Sequence, residues 1–448
     1  MTEEMVLPSA ACVLIGHGIE AITSAVVLAS LGHRVHLYAD SKQLESQLQQ
    51  YAFEHHLQAL WQMYYGQALI VCKPLPVAPE QVLQAYEVTA SNRSIPTMTV
   101  SLYWLFLDNI ASVWSDAAWI AAFNRSNQAQ CPVVLSGIQP IGSVARHADA
   151  LQRAWVYYVP FVFLQDGEAF GSMLAPKLWL LGEKTADSRH HLTPLLPLMQ
   201  HARACHTADI ATIEFARSSI MTMLATRVSF MNEMSRLADG LGVDIDNVGR
   251  IMGLDTRVGS SYLQAGWGFG GHTLPTELRT MQQFATHHGI DTPLLCATDH
   301  INTDQKELIF RKFWQYFDGF IENKTVLIWG GSYKSGSGRT AGSAIHPLLH
   351  LLWSYNITTL VYADKARGAL WQTYAHQPLL TLIDSPYDTL DVQAVFIVNA
   401  LTEQVDIARL NHYAMPIFDA QNLFTPAQIA QLTGDYVGIG RRKDSTSH

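Results

Sequence analysis

Gly16-His-Gly18-Ile-Glu-Ala21 has the G-x-G-x-x-A spacing of a turn that cradles a dinucleotide. The first glycine permits a tight turn, and the second lets backbone approach a pyrophosphate. A small residue at the third position lets a helix pack on a strand. Backbone N–H groups at such a turn bind phosphate without any basic side chain. An acidic residue closing the next strand would grip a ribose 2′-OH, and Asp40 stands there or one residue late. The alternative is the same backbone geometry with tight binding lost. Other reactive residue types point nowhere specific. The five cysteines are scattered with no CxxC pair, which suggests neither zinc nor a disulfide framework. Of the nineteen histidines, His55-His56, His190-His191 and His287-His288 are adjacent pairs. They lack the i, i+4 spacing of a helical metal site and read as surface or loop residues.

Two segments could position a nucleotide. Cys12 to Ile15 is an apolar strand that ends in the glycine turn; a helix-like stretch follows, then a strand ending at Asp40. Thr325 to Trp329 ends in Gly330-Gly331, followed by a helix-like Ile345 to Trp353 and a strand from Thr359 to Asp364. Strand, glycine turn, helix, strand opens a doubly wound parallel sheet. Its repetition predicts an α/β chain with two Rossmann-like domains, whose short apolar strands suit sheets buried on both faces. Between them, Ile213 to Leu241 predicts one long helix, with Met223, Leu224, Val228, Met231 and Met234 as its buried face. Further helices are expected at Asp244 to Met252 and Arg279 to His287. The expected domains are 1–204, a helical connector at 205–310, and 311–448.

The 448 residues carry 48% hydrophobic side chains, enough for more than one core, and a net charge of −9 from 29 basic and 38 acidic residues. That balance argues against nonspecific nucleic-acid binding. No apolar run approaches the ~18–20 residues of a membrane span. The opening MTEEMVLPSA lacks the basic and apolar regions of a signal peptide, so a cytoplasmic, reduced protein is expected. The tail from Arg441 to His448 is polar and expected to fray.

Residues Gly266 to Glu277, GWGFGGHTLPTE, are the most informative stretch. They resemble the active-site loop P-G-x-G-F-G-G-S-C-F-P-K-D of the UDP-glucose/GDP-mannose dehydrogenase family. Gly266, Gly268, Phe269, Gly270, Gly271 and Pro275 are in register. The family's cysteine falls on Thr273, its lysine on Thr276 and its aspartate on Glu277. Glu214 to Glu233 resembles the family's central helix, with its lysine at Arg217 and its asparagine at Met221. Pro132 to Ser143 and Tyr158 to Ala169 resemble two further segments, and the second has Phe161 or Val162 in place of the family's glutamate. Asp255-Thr-Arg257-Val-Gly259 resembles D-x-R-I-G, whose arginine contacts the nucleotide sugar. Lys334 resembles the lysine at the sugar-nucleotide site, while the arginine that follows it in the family falls on Ala341. Phe418 to Phe424 and Tyr436 to Arg441 resemble the closing segments, with Gln421 in place of an arginine. The resemblance runs nearly end to end and in order. The GGH triplet is closer to the N-acetyl-hexosamine branch, and the Phe269 context and D-x-R-V-G to the UDP-glucose branch.

The resemblance implies an enzyme that oxidises a sugar C6 alcohol to a carboxylate with two NAD⁺, through a cysteine thiohemiacetal and thioester. It implies NAD, retained or lost, at Gly16, Gly18, Ala21 and Asp40. It implies a nucleotide sugar at Arg257, Gly268, Phe269, Gly270 and Lys334, and a homodimer through the central helix. The catalytic positions are Thr273, Arg217 and Glu277, and all three depart from the family. Arginine stays charged where lysine can release a proton, methionine offers an oxyanion no N–H, and an apolar residue cannot move protons. An inactive or impaired member with a binding, regulatory or structural role near polysaccharide synthesis is one expectation. The other is an active NAD-dependent oxidoreductase with altered chemistry, with Glu277 and His272 as acid and base.

Overall fold

The structure is a computed structural model that describes residues 10–87, 99–387, 391–399 and 405–441. Of the polar tail, only Arg441 falls among them, and the first nine residues lie outside them. The chain divides into two compact units, 1–219 and 220–448, each with its own sheet.

The first unit holds eight strands: β1 (Ala10–Ile15), β2 (Arg34–Ala39), β3 (Ile70–Pro74), β4 (Thr99–Phe106), β5 (Val133–Ser136), β6 (Val156–Tyr158), β7 (Trp179–Glu183) and β8 (Cys205–Asp209). Their order is β3-β2-β1-β4-β5-β6-β7-β8, and every pairing is parallel except β6 with β7. β1 is fully buried from Ala11 to Ile15, as a parallel strand covered on both faces must be. The helix Ile19–Ser30 buries ten of its twelve residues, so it is apolar nearly all round. Trp104 stacks on Phe106 at 5.5 Å, and Phe163 on Trp179 at 5.2 Å. Each such buried ring contributes about 1.5–3 kcal/mol over an exposed one.

The second unit holds β9 (Thr325–Trp329), β10 (Thr358–Tyr362), β11 (Leu380–Leu382), β12 (Ala394–Ile397), β13 (Ile417–Asp419) and β14 (Tyr436–Val437). Their order, β11-β10-β9-β12-β13-β14, is all parallel. It is the 3-2-1-4-5-6 winding of a dinucleotide-type fold. In both sheets the chain reverses direction across the sheet at the first strand, beside β1 and beside β9. Ligands of open α/β sheets bind at such switch points, outside the carboxyl ends of the strands. The two doubly wound parallel sheets expected from the sequence are therefore present. Among the described residues, no helix is long and apolar enough to cross a membrane.

The long helix runs Ile210–Leu241. It starts where Asp209 accepts the Thr212 N–H at 2.9 Å and the Thr212 hydroxyl at 2.6 Å, which satisfies an orphan donor of the first turn. The sequence reads its inner face only in part. Met231 is buried as expected, but Met223 is 60% exposed. The buried positions in the second unit are Met221, Thr222, Ala225, Ser229, Met231, Asn232, Ser235 and Ala238, many of them polar. Their hydroxyls and amides are used: Ser229 Oγ donates to Thr298 O at 2.8 Å, and Asn232 Oδ1 accepts from Gly266 N at 2.9 Å. Val228 and Met234 pack against core clusters while partly buried, so hydrophobic spacing found part of the inner face and missed the polar positions that share it. The helix after it is Ile245–Leu254, and the expected Arg279 to His287 helix begins earlier, at Thr273. The helix Pro293–Tyr316 follows.

Candidate functional site

In the first unit, Gly16 follows β1 at φ +153° and Gly18 is the residue before the helix Ile19–Ser30. Gly16 N donates to Tyr38 O at 2.9 Å, which ties the turn to β2. A Cβ on Gly16 would lie 2.8 Å from Phe106 Cβ, so only glycine allows this approach. Ala21, the small third residue, is fully buried under the helix. The backbone thus has the shape that the motif predicts. Its donors are already engaged, however. The N–H groups of His17 and Gly18 donate to Asn109 Oδ1 at 3.0 and 2.7 Å. A pyrophosphate cannot occupy this turn while that amide does. Asp40 lies one residue beyond β2 and is exposed. Its Oδ1 accepts the Gln43 N–H at 2.9 Å and so caps the helix Ser41–Gln50. Burial lowers the pKa of His17, partly offset by the nearby Asp40 carboxylate.

Arg217 is not a surface arginine: it is 5% exposed. It hydrogen-bonds the Tyr158 side chain and attracts the carboxylate of Asp108. Burial pushes the Tyr158 phenol up to about 12, against the pull of Arg217. Glu214, one turn earlier, accepts Val144 N at 3.2 Å and Ala145 N at 3.3 Å. It thus faces the N-terminus of the helix Ser143–Ala150, where an anion is favoured. Burial still raises its pKa. The buried guanidinium of Arg217 lies at the centre of this cluster. Phe161, one of the two residues the resemblance offers at the family's glutamate position, lies 6.0 Å from Trp104, 6.0 Å from Phe106 and 5.2 Å from Phe163, centroid to centroid. A buried carboxylate the sequence did not reveal is Glu54, which accepts the N–H groups of Gly167 and Ala169.

In the second unit, the glycine-rich loop is pinned from below by amides. Asn302 Oδ1 accepts Phe269 N at 2.7 Å and its Nδ2 donates to Phe269 O at 3.2 Å. Gln305 Nε2 donates to Gly266 O at 2.7 Å. Gly268 adopts φ +94°, and a Cβ there would lie 2.6 Å from Asn302 Oδ1. Gly271 N donates to Ala341 O at 3.0 Å, which brings the loop against the segment after β9. Phe269 is buried against Ala225 and Leu278, so its ring anchors the loop in the core. Thr273 opens the helix Thr273–His287, with His272 at its N-cap. Glu277 lies one helical turn after Thr273, on the same face, and is fully buried.

Lys334 is exposed in the tight loop after β9; Ser337 N and Ser332 Oγ donate to its carbonyl at 3.2 and 3.0 Å. Arg257 is 86% exposed and is held in place by Asp255 through Nη2–Oδ2 at 2.6 Å and Nε–Oδ1 at 3.0 Å. At the switch point of this sheet, Gly330 has φ +92°, and a Cβ there would lie 2.8 Å from Asn399 N. Asn399 is 3% exposed, and neither polar atom of its side chain has a hydrogen-bond partner among the described residues. Such a group costs about 1–3 kcal/mol, which a bound partner would recover. The two turns therefore differ. The first is satisfied by the chain itself, while the second lies beside an unsatisfied amide. Asn109 and Asn399 carry no motif, and only the crossing of the strands places them.

The comparisons with known proteins agree with this architecture. The central-domain model of the UDP-glucose/GDP-mannose dehydrogenase family matches residues 211–304. The UDP-glucose 6-dehydrogenase of Pseudomonas aeruginosa is 30% identical over 330 residues, covering 69% of this chain and 73% of that protein. The UDP-glucose 6-dehydrogenase of Rickettsia bellii is 30% identical over 288 residues, covering 62% of this chain and 66% of that protein. A solved UDP-glucose dehydrogenase from the hyperthermophilic archaeon Pyrobaculum islandicum superposes with a TM-score of 0.75 at 21% identity, over 98% of this chain and 100% of that one. At that identity the likeness speaks for the fold alone.

Proposed function

Because this chain belongs to the UDP-glucose/GDP-mannose dehydrogenase family, we propose that it is a catalytically impaired member whose retained role is to bind a nucleotide sugar, beside enzymes of polysaccharide synthesis. The observation that carries this is Thr273, which stands at the family's nucleophile position on the first turn of its helix. A hydroxyl needs a base to become a nucleophile, whereas a thiol is partly ionised near neutral pH. Arg217, buried and engaged with Tyr158, lacks the tunable proton of the lysine it replaces. Methionine at 221 gives no donor to an oxyanion. In the second unit, exposed Lys334 offers a charge that an anionic nucleotide sugar requires, Arg257 would have to exchange its Asp255 partner to add a second, and the Asn399 amide, without a partner among the described residues, supports a ligand at that unit's switch point.

The second reading, altered chemistry on the same scaffold, is favoured by one feature. The i, i+4 spacing of Thr273 and Glu277 places a buried carboxylate one turn from the hydroxyl. Calorimetry with UDP-glucose, UDP-glucuronate and GDP-mannose, followed at 340 nm with NAD⁺ present, separates the two. The impaired reading expects heat from at least one sugar nucleotide and flat absorbance. Rising absorbance would sink it in favour of the second reading, and the absence of heat from all three would remove the ligand-binding role.

A homodimer belongs to the same proposal. Met223, Phe230 and Leu237 recur every seven residues along the long helix and are exposed, and Leu241 continues the row. An apolar stripe of this kind on a single chain calls for a covering surface. Sedimentation equilibrium should give twice the chain mass, and Leu237→Glu should return it to one. A wild-type chain that sediments as a monomer at micromolar concentration would refute the dimer.

A further inference from the structure

The glycine turn after β1 is closed to a dinucleotide by the chain itself. Asn109 Oδ1 takes the N–H groups of both His17 and Gly18, two of the donors such a turn presents to phosphate. The missing Cβ atoms now make room for this amide. A Cβ on Gly16 would lie 2.9 Å from Asn109 Oδ1, and one on Gly18 would lie 3.0 Å from Oδ1 and 3.1 Å from Nδ2. Glu20 supplies a second, independent observation. The same position on Gly18 is 3.2 Å from Glu20 Oε2, so a carboxylate already stands beside the helix N-terminus, where a phosphate would otherwise be favoured. Asn109 is also held firmly. It sits in the short helical turn Leu107–Ile110, whose Leu107 and Ile110 are buried. Trp114 N donates to Ile110 O at 2.8 Å, while its indole N–H donates to Pro76 O at 2.8 Å.

We propose that Asn109 is an internal stand-in for the cofactor pyrophosphate, and that a dinucleotide enters this turn only by displacing it. The amide oxygen accepts both donors as a phosphate oxygen would, while Glu20 repels the incoming charge. Binding through a minor, displaced conformation weakens the apparent affinity by the fraction of chains in which the turn is open. Two hydrogen bonds must be given up first, which sets that penalty at about tenfold or more. This goes beyond the loss of catalytic groups, since it concerns binding in the first unit and not turnover.

The test is calorimetry on the full chain with NAD⁺ and, separately, with adenosine, which has no phosphate. Asn109→Ala should raise NAD⁺ affinity about tenfold and leave adenosine unchanged. Asn109→Asp, which keeps the acceptor and adds a charge, should bind NAD⁺ more weakly than wild type. If Asn109→Ala does not fold by circular dichroism, Asn109→Ser is held to the same standard, since its hydroxyl is too short to reach both N–H groups. The proposal is overturned if wild type and the truncated variant bind NAD⁺ within twofold of each other, if neither binds, or if adenosine gains as much as NAD⁺. None of these outcomes involves a sugar nucleotide or NADH, so they stand apart from the test of impaired catalysis.

Discussion

Thr273→Cys will leave NADH formation from UDP-glucose and NAD⁺ at background, although it restores the family's nucleophile. The expectation follows from how catalytic groups act together. The thiolate, the lysine, the asparagine and the glutamate of the family form one unit, and removing any one commonly costs about 10³–10⁴-fold or more. Returning a single member therefore returns little. Here the residue proposed for the lysine position, Arg217, is 5% exposed and bound to Tyr158. The glutamate position is Phe161 or Val162, and Phe161 packs among Trp104, Phe106 and Phe163. Neither place can accept a proton once the thiol is back. The measurement is absorbance at 340 nm over hours at micromolar enzyme, beside an active relative run in parallel. Multiple turnovers by the single variant would mean that the remaining groups suffice, and the impaired reading would fail with it.

Gly270→Ala will destabilise the second unit by about 3 kcal/mol, the cost of forcing a methyl into a packed interior. Gly270 has no unusual φ, so the effect is one of space alone. A Cβ there would press on Gly342 O, lie 2.8 Å from the Gly342 carbonyl carbon and 3.1 Å from Tyr333 Cβ. Two of these atoms are backbone and cannot swing away. For a unit of this size the melting temperature should fall by roughly 6–12 °C. Gly368→Ala is the control: it lies in the helix Arg367–Tyr374 with nothing within 4 Å of its Cβ, and alanine is the better helix former there. Calorimetric melts of the two variants check the argument. If Gly270→Ala melts within a degree of wild type, the loops do not approach as closely as described.

Much of the fold was legible because its signals are local. A buried parallel strand shows as a short apolar run, and a turn into a helix N-terminus shows as glycines at fixed spacing. So β1, β2, β9 and β10 were placed within a residue or two. The long helix was legible in extent and only partly in facing, since Met231 is buried but Met223 is exposed. On its inner seam Ser229 donates to Thr298 O and Asn232 accepts from Gly266 N, both on other elements, and hydrophobic periodicity does not register such contacts.

The residues themselves determined the family and the two doubly wound sheets, and supplied the groups proposed for the catalytic positions, because motif order and side-chain chemistry are properties of the chain. Tertiary structure alone decided whether those positions have their donors and acceptors available. Gly18 and Asn109 are 91 residues apart, and Gly270 and Gly342 are also distant in sequence. Nothing near Gly18 in the chain announces the amide that closes it. A backbone N–H is satisfied by whichever acceptor the strand order brings within 3 Å, and β4 lies beside β1 only because the sheet reverses there.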